Sequence, residues 1–174
     1  MKTKSKKFWK KKDKRKEENM DIEDILDIKK INTNLKSQEK EQIIYELSKL
    51  LEENEDIGDI QSFVKDVMER ERISSTGIGN GVAIPHGKSP AVKKTAVAIG
   101  VVCNTCTNWE TFDKQPVKIV ILLAVNDKDK DSVHVKLLSQ MARKLAKKSV
   151  CDRLCSAKTA QQIIDVFKND NQEE

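Results

Sequence analysis

His86 is the residue of this sequence whose type and setting most suggest chemistry. It lies near the end of residues 74–88, which are SSTGIGNGVAIPHGK. An imidazole near neutral pH can act as a nucleophile or proton acceptor, and small neighbouring residues let backbone amides approach a bound group. Because Pro85 lacks an N–H, we expect it to end the strand predicted over residues 81–84 and to leave His86 at the strand's mouth. The alternative is a solvent-exposed histidine in a turn.

The second histidine, His134, falls on the apolar face of a predicted helix. A histidine in such a position is usually a core residue whose ring nitrogens are hydrogen-bonded. If this helix packs near the end of the strand predicted over residues 117–125, however, His134 points at His86 across a shallow pocket. There its ring N–H would stabilise charge arriving on the first imidazole.

Arg70 is the third candidate and lies near the end of another predicted helix. An arginine at a helix end commonly compensates the helix dipole or forms a surface ion pair, and this is what we expect of Arg72. Arg70 lies nearer the packed face, beside Val67, and could instead reach the glycine-rich turn. Its planar guanidinium would then offer two parallel N–H donors to a phosphate.

The glycines of the turn do not fit a nucleotide-binding motif. Gly77, Gly79 and Gly81 would need a further glycine at position 82 for a dinucleotide fingerprint, and that position is Val82. Such a fingerprint also leaves a strand and enters a helix, whereas this segment leaves a helix and enters a strand. Neither a Walker A motif nor a kinase signature occurs in the chain. A phosphoryl group handled here would therefore come from another protein.

Four cysteines raise the question of a metal or redox site: Cys103, Cys106, Cys151 and Cys155. Zinc sites usually pair two short-spaced motifs in a loop-rich module, but the second pair lies in a regular helical pattern. A thioredoxin-like motif should open a long helix, and the residues after Cys106 instead predict a loop or short strand. We expect reduced structural thiols, with no metal and no cofactor.

The charge of the chain is concentrated at its beginning. The formal net charge of the whole sequence is +5 and that of residues 1–19 is +7, so the net charge of the remainder is −2. The remainder therefore lacks the basic face of a nucleic-acid binder. Residues 1–19 have no apolar region typical of a secretory signal, and no apolar run is long enough to span a membrane. We expect a cytoplasmic protein with no nucleic-acid partner and no membrane insertion.

The leader over residues 1–19 has several interpretations. It could be a disordered basic tail for anionic lipid or RNA. Alternatively, the codons of Lys16, Glu17 and Glu18 could contain a ribosome-binding sequence, in which case Met20 is the true start. We expect the leader to be disordered in either case and residues 20–174 to form one domain.

The apolar pattern predicts an alternation of helices and strands. Residues 117–125 are apolar on both faces, which indicates a central strand covered by helices on both sides. We therefore predict an α/β fold, a three-layer α/β/α sandwich with a central mixed β-sheet. The predicted helices cover residues 21–26, 37–54 with Ser37 as the cap, 60–72, 131 or 132 to 145, 150–156 and 159–167, and the strands cover 30–35, 81–84, 94–102 and 117–125.

Several of these segments, taken together, resemble the enzyme IIA domain of the bacterial phosphoenolpyruvate-dependent phosphotransferase system, of the fructose/mannitol and nitrogen-regulatory type. The resemblance covers residues 20–174 and is carried by the strings MERERI, SSTGIGNGVAIPHGK, FDKQPVKIVILLAVND and HVKLLSQMARKLAKKSVCDRL. Its most specific element is the ordered series of Arg, Ser-Thr, three alternating glycines and Pro-His. A second histidine at the start of the long helix supports it.

The resemblance implies that His86 accepts a phosphoryl group from the phosphohistidine of the carrier protein HPr or a paralogue. The group would then pass to a cysteine of an enzyme IIB for fructose-type sugar uptake, and a IIC transporter could associate with the pair. In this family's pattern His134 is auxiliary and Arg70 stabilises the phosphate. The candidates for phosphate binding are Thr76, Gly87 and Asn80.

The resemblance leaves two branches open. Sugar-specific members often carry an acidic residue at the position of Asn80, whereas STGIGNG followed by PHGK is typical of nitrogen-regulatory members. In the regulatory branch the phosphorylation state would control protein partners without sugar transport.

Overall fold

The computed structural model describes residues 20–106 and 108–169. The predicted leader over 1–19 lies outside the described residues. The strands are β1 (Ile31–Leu35), β2 (Gly77–Gly79), β3 (Val82–Ala83), β4 (His86–Ser89), β5 (Ala96–Cys106) and β6 (Val117–Asn126). The α-helices are α1 (Ile22–Ile25), α2 (Lys40–Glu53), α3 (Ile60–Ile73), α4 (Asp131–Leu145), α5 (Lys148–Ser156) and α6 (Ala160–Asn169), with a 3₁₀ turn at Ile28–Lys30.

The six strands form one mixed sheet in the order β1-β5-β6-β3-β2, with β4 also paired to β6. β5 and β6 are antiparallel, while β1 runs parallel to β5, and β3 and β4 run parallel to β6. Helices cover both faces of this sheet, which confirms the predicted three-layer α/β/α fold.

Strand β6 is the centre of the molecule and is buried on both faces, as predicted. Ile119, Ile121 and Leu123 belong to the core shared with α4, α5 and α6. Val120 and Leu122 belong to the core shared with α2 and α3. Because successive strand side chains point to opposite faces, one apolar run supplies both cores.

Helix α3 begins where Asp59 caps it by accepting from the backbone N–H of Ser62. The predicted cap of α2 is wrong, since α2 begins at Lys40 rather than after Ser37. The reason is local: the Ser37 N–H donates to the Glu46 carboxylate at 3.2 Å, which holds this residue in the approach to the helix.

Pro85 interrupts a strand but does not end it, so the prediction that His86 stands at a strand's mouth is wrong. Val82 pairs with Ile119 and His86 with Leu123, so β3 and β4 continue along β6 in one register. Proline removes only a donor. Its carbonyl still accepts from the Leu123 N–H at 3.0 Å, and the ladder resumes. His86 is therefore a buried strand residue, 7% exposed.

Gly87 explains how closely α3 packs on β4. A Cβ atom at Gly87 would lie 2.9 Å from Cγ2 of Val67 and 3.5 Å from Cε2 of Phe63. The missing side chain lets the helix approach the strand and brings its C-terminal turn, with Arg70, towards His86. In the described residues, no helix has both the length and the apolar character needed to cross a membrane.

Candidate functional site

The ring of His86 is held by the carbonyl of the residue two before it. Nδ1 of His86 lies 2.9 Å from the backbone oxygen of Ile84. A carbonyl oxygen can only accept, so Nδ1 carries the proton and Nε2 presents its lone pair. Since Ile84 precedes a proline, its backbone is restricted to extended conformations. The sequence Ile84-Pro85-His86 thus fixes both the tautomer and the direction of a nucleophilic nitrogen.

His134 lies in the first turn of α4 and faces His86. The ring centroids are 5.4 Å apart, with an angle of 64° between the planes. This confirms the predicted juxtaposition of the two histidines, while the chemical role of His134 stays a prediction. Nε2 of His134 is buried and has no hydrogen-bond partner among the described residues. The alternative of a hydrogen-bonded core histidine therefore leaves this nitrogen unexplained.

Both imidazoles are poised in the neutral form. Burial lowers the pKa of His86, and the charge of Arg70 lowers it further, against the opposing effects of the Ile84 hydrogen bond and Glu71. Burial also lowers the pKa of His134, helped by the charges of His86 and Lys88. Because only a neutral imidazole has a lone pair to offer, these shifts favour nucleophilic chemistry at neutral pH.

Arg70 lies near enough to the two histidines for its charge to lower the pKa of both. It lies in the last turn of α3, and its Nη1 donates to the Ser74 carbonyl at 3.1 Å. Its charge acts on His86 and also on His134. Arg72 is exposed, as expected. The two arginines of this turn therefore differ: Arg70 is half-buried and its charge acts on both histidines, while Arg72 faces solvent.

Lys88 is a residue of the site that the sequence reasoning missed. Two residues after His86 on the same strand, it shares the face that carries the imidazole. Its Nζ lies 2.7 Å from Oδ1 of Asp131 and 2.8 Å from the carbonyl oxygen of Asp129. Strand alternation indicates this placement, because Lys88 lies two residues after His86 in β4. A cation is thus placed at the start of α4, next to His134.

Glu71 is the second residue missed, and it is the most connected side chain near the site. The residue is 5% exposed. It accepts from the backbone N–H and the hydroxyl of Thr76, at 3.1 and 2.6 Å, and from Nε1 of Trp109 at 2.9 Å. It also accepts from Ser75 and pairs with Lys40, each at 3.2 Å. A glutamate between two arginines at a helix end gave no signal of burial.

The three predicted phosphate-binding residues lie in different places. Thr76 is buried, and its hydroxyl donates to Glu71 rather than pointing an N–H or O–H at His86. Gly87 adjoins His86 within β4, but the space beside its Cα is filled by α3. Thr76 is thus held by Glu71, and Gly87 gives α3 room to pack on β4. Their role in phosphate binding stays a prediction.

The structure does not bring Asn80 to His86. Asn80 lies in the β2–β3 turn with a φ of 53°, and its N–H donates to Asp113 at 2.8 Å. Val82 is four residues before His86 along one continuous register, so the turn lies about 13 Å or more from the imidazole. Gly79 and Gly81 flank it with φ values of 93° and 76°. These glycines supply the positive φ angles of a hairpin turn. They do not border a binding site at His86.

The cysteines lie away from the histidines. All four are free thiols, in β5 and α5. Burial, followed by the charge of Cys155, raises the pKa of Cys151 to about 11, which disfavours its thiolate. Among residues 20–106 and 108–169, no group of three His, Cys, Asp or Glu side chains is arranged to hold a metal ion.

The fold and the site define an α/β/α domain with a paired-histidine centre. The description of the family whose model matches residues 24–170 is "Phosphoenolpyruvate-dependent sugar phosphotransferase system, EIIA 2". The chain belongs to this family, which confirms the resemblance seen in the sequence.

Its relatives include both sugar-specific and nitrogen-regulatory proteins. The chain is 32% identical over 148 residues to the "PTS system fructose-specific EIIABC component" of Bacillus subtilis, covering 85% of this chain and 23% of that protein. It is 37% identical over 101 residues to the "Nitrogen regulatory protein" of Klebsiella oxytoca, covering 58% of this chain and 62% of that protein. The crystal structure of nitrogen regulatory protein IIA-Ntr from Neisseria meningitidis matches with a TM-score of 0.76 at 27% identity, covering 84% and 98% of the two chains.

Proposed function

We propose that His86 accepts a phosphoryl group on Nε2 from the phosphohistidine of HPr or a paralogue, and passes it to a cysteine of an enzyme IIB in fructose-type sugar uptake. One observation carries this proposal: the His86 ring is held through Nδ1 at 2.9 Å from Ile84 while it faces His134 across 5.4 Å. The family belongs to the phosphoenolpyruvate-dependent sugar phosphotransferase system, and one structural relative is the complex of enzyme IIAMTL with phosphorylated enzyme IIBMTL from Escherichia coli.

The first transfer balances without a further reactant. The Nε2 lone pair of His86 forms a new N–P bond as the donor's N–P bond breaks, and the donor nitrogen keeps that electron pair. The proton on Nδ1 stays, so positive charge develops on the ring. The Ile84 carbonyl stabilises this charge through its hydrogen bond. Because the donor bond is already reactive, the protein's task is positioning and charge stabilisation.

Three groups support the incoming phosphoryl oxygens. Arg70 brings a planar guanidinium whose charge already reaches both histidines. The buried Nε2 of His134 gains the partner that it lacks, because its N–H can donate to a phosphoryl oxygen. Lys88 adds a second cation, on the same strand face as His86. The charge of Arg70 and the His134 ring therefore act on His86, and the charge of Lys88 acts on His134.

The second transfer returns the site to its starting state. A thiolate of the enzyme IIB attacks phosphorus, an S–P bond forms and the N–P bond breaks. The electron pair returns to Nε2, which regenerates the neutral imidazole with its proton still on Nδ1.

We also propose that the protein acts in the cytoplasm, without binding nucleic acid, and that association with a IIC transporter occurs through its IIB partner.

A second candidate function is regulation, supported by the similarity to nitrogen regulatory proteins. Phosphorylation adds up to about two negative charges to a buried site and would alter binding to other proteins. Asn80, which suggested this branch, has a conformational reason in the structure: asparagine tolerates the positive φ of its turn. Asn80 therefore does not decide between the branches.

The shared step is tested by mixing the protein with enzyme I, HPr and phosphoenolpyruvate, and measuring acid-labile phosphate on the chain. We expect label on the wild type and none on His86→Ala. An unlabelled wild type, or equal label on the variant, would refute both functions. Adding enzyme IIB then separates them, since drainage of the label supports sugar transport and its retention supports regulation.

A further inference from the structure

Glu71 is linked to the nucleophile by a series of hydrogen bonds. Its carboxylate accepts from the N–H and the hydroxyl of Thr76. The carbonyl of Thr76 accepts from the Ile84 N–H at 3.0 Å. The carbonyl of Ile84 in turn accepts from Nδ1–H of His86 at 2.9 Å. Two residues, Thr76 and Ile84, thus connect a buried anion on α3 to the imidazole on β4.

The carboxylate is ionised in this position. Burial raises the pKa of Glu71, but the hydrogen bonds from Thr76 and the charge of Lys40 outweigh it and leave the pKa below its ordinary value. A charged acceptor with several donors is a rigid anchor, since each hydrogen bond to it is stronger than one between neutral groups. Its partners come from α2, the connection between α3 and β2, and the loop that contains Trp109.

The series acts through position rather than through one polarised peptide. The N–H of Thr76 and its carbonyl belong to different peptide groups, and so do those of Ile84. Holding Thr76 therefore fixes where its carbonyl lies, which fixes the Ile84 N–H and then the Ile84 carbonyl. The extended conformation imposed by Pro85 removes the remaining freedom of Ile84.

We propose that Glu71 is a positioning residue for phosphoryl transfer: through Thr76 and Ile84 it keeps the proton on Nδ1 of His86 and aims Nε2 at the incoming phosphorus. This inference rests on the proposed function for its kinetic consequence. Its structural consequence, the tautomer of His86, does not depend on that function. The anion also lies close enough to favour the positive charge that develops on the ring.

The test is Glu71→Gln, which keeps the shape but presents an amide N–H₂ to some of the donors. We expect ¹⁵N NMR of the imidazoles to show the single Nδ1–H tautomer of His86 in the wild type and a mixture in the variant. With two histidines in the chain, His134→Gln identifies the signals. We expect phosphoryl acceptance about tenfold slower, the size expected for one hydrogen bond to a charged group, with the KM for the donor unchanged.

Asp56→Asn is the matched control, because Asp56 is a buried carboxylate that pairs with Lys30 at 2.6 Å and has no link to Thr76. It should lower stability without changing the tautomer. If Glu71→Gln does not fold, Thr76→Val removes the hydroxyl link alone and should also mix the tautomers, while Thr76→Ser should keep the wild-type tautomer.

An unchanged tautomer in Glu71→Gln or, should that variant not fold, in Thr76→Val would overturn the proposal. So would a wild-type rate in a variant with mixed tautomers. A wild type that accepts no phosphoryl group would refute the proposed function instead, and the tautomer comparison would still decide the structural part.

Discussion

Nε2 of His134 is a buried nitrogen without a hydrogen-bond partner among the described residues, in a ring whose centroid is 5.4 Å from that of His86. A buried polar atom left in this way costs stability, so its persistence beside a nucleophile indicates a partner that arrives during function. A phosphoryl oxygen on Nε2 of His86 has the right chemistry, since it accepts from N–H groups. In the proposed function the two histidines therefore divide the work: His86 accepts the phosphoryl group and His134 stabilises its charge.

His134→Ala should slow phosphoryl transfer to His86 by about 100-fold, the cost of losing one donor to a developing charge, while His86 phosphate still forms. Quench-flow measurement of acid-labile phosphate gives the rate and the end point separately. His134→Gln restores an N–H donor and should recover part of the rate. Complete loss of labelling in His134→Ala would contradict the auxiliary role.

Arg70→Ala should also slow transfer by about 100-fold, because the guanidinium fork to the phosphate is lost. Arg70→Lys keeps the charge without the fork and should give an intermediate rate. The matched control is Arg72→Ala, two residues along the same helix and exposed to solvent, which should transfer at the wild-type rate. Equal effects at both positions would show that only net charge matters.

The two histidines should make stability depend on pH in a known direction. Their folded-state pKa values lie below the ordinary 6.5, so between the folded and unfolded values the unfolded chain binds more protons. The free energy of unfolding therefore rises with pH through this window. The contribution of the two histidines to it is lost as pH falls below about 6.5. Urea denaturation between pH 5 and 8 measures it, and a His86→Gln/His134→Gln double variant should lose this slope. A wild-type slope of the opposite sign would contradict the assigned shifts.

Much of the fold followed from the sequence because β6 carries its information locally. This ten-residue, largely apolar strand follows Pro116 and ends in polar residues, and both of its faces must be buried. Helices packed on both sides of the sheet bury them, which gives the α/β/α arrangement. The juxtaposition of His86 and His134 followed from the same placement, once α4 was packed against the end of β6.

The rest depended on contacts that no local pattern carries. Pro85 was expected to stop a strand, but its carbonyl supports the ladder because Leu123 lies opposite with a free N–H to donate. Glu71 is polar and lies at a helix end, so its burial depends on Trp109 and Lys40, residues distant in sequence. The resemblance places Asn80 in the site as a phosphate-binding candidate, whereas the strand register separates it from His86.

Lys30 and Asp56 form a buried ion pair, with Nζ and Oδ2 2.6 Å apart, that joins the 3₁₀ turn before β1 to the α2–α3 connection. Lys30→Met leaves the carboxylate buried without its cation and should lower the free energy of unfolding by about 3–5 kcal/mol. The double variant Lys30→Met/Asp56→Leu should recover most of this loss, since an apolar pair needs no charge compensation. Urea denaturation at pH 7 measures both, and a single variant as stable as the wild type would show that the pair is not desolvated.

Gly87→Ala should disturb the site through packing alone. The added Cβ would lie 2.9 Å from Cγ2 of Val67, so α3 must move away from β4 or Val67 must shift. We expect a loss of about 1–3 kcal/mol in the free energy of unfolding, typical of overpacking, and slower phosphoryl acceptance because Arg70 moves with the helix. Val67→Ala removes the contacted methyl group, so Gly87→Ala/Val67→Ala should transfer faster than Gly87→Ala. If adding Val67→Ala lowers the rate further, the packing of α3 against β4 does not explain the effect of Gly87→Ala. Phosphoryl transfer then depends on the backbone of Gly87 itself.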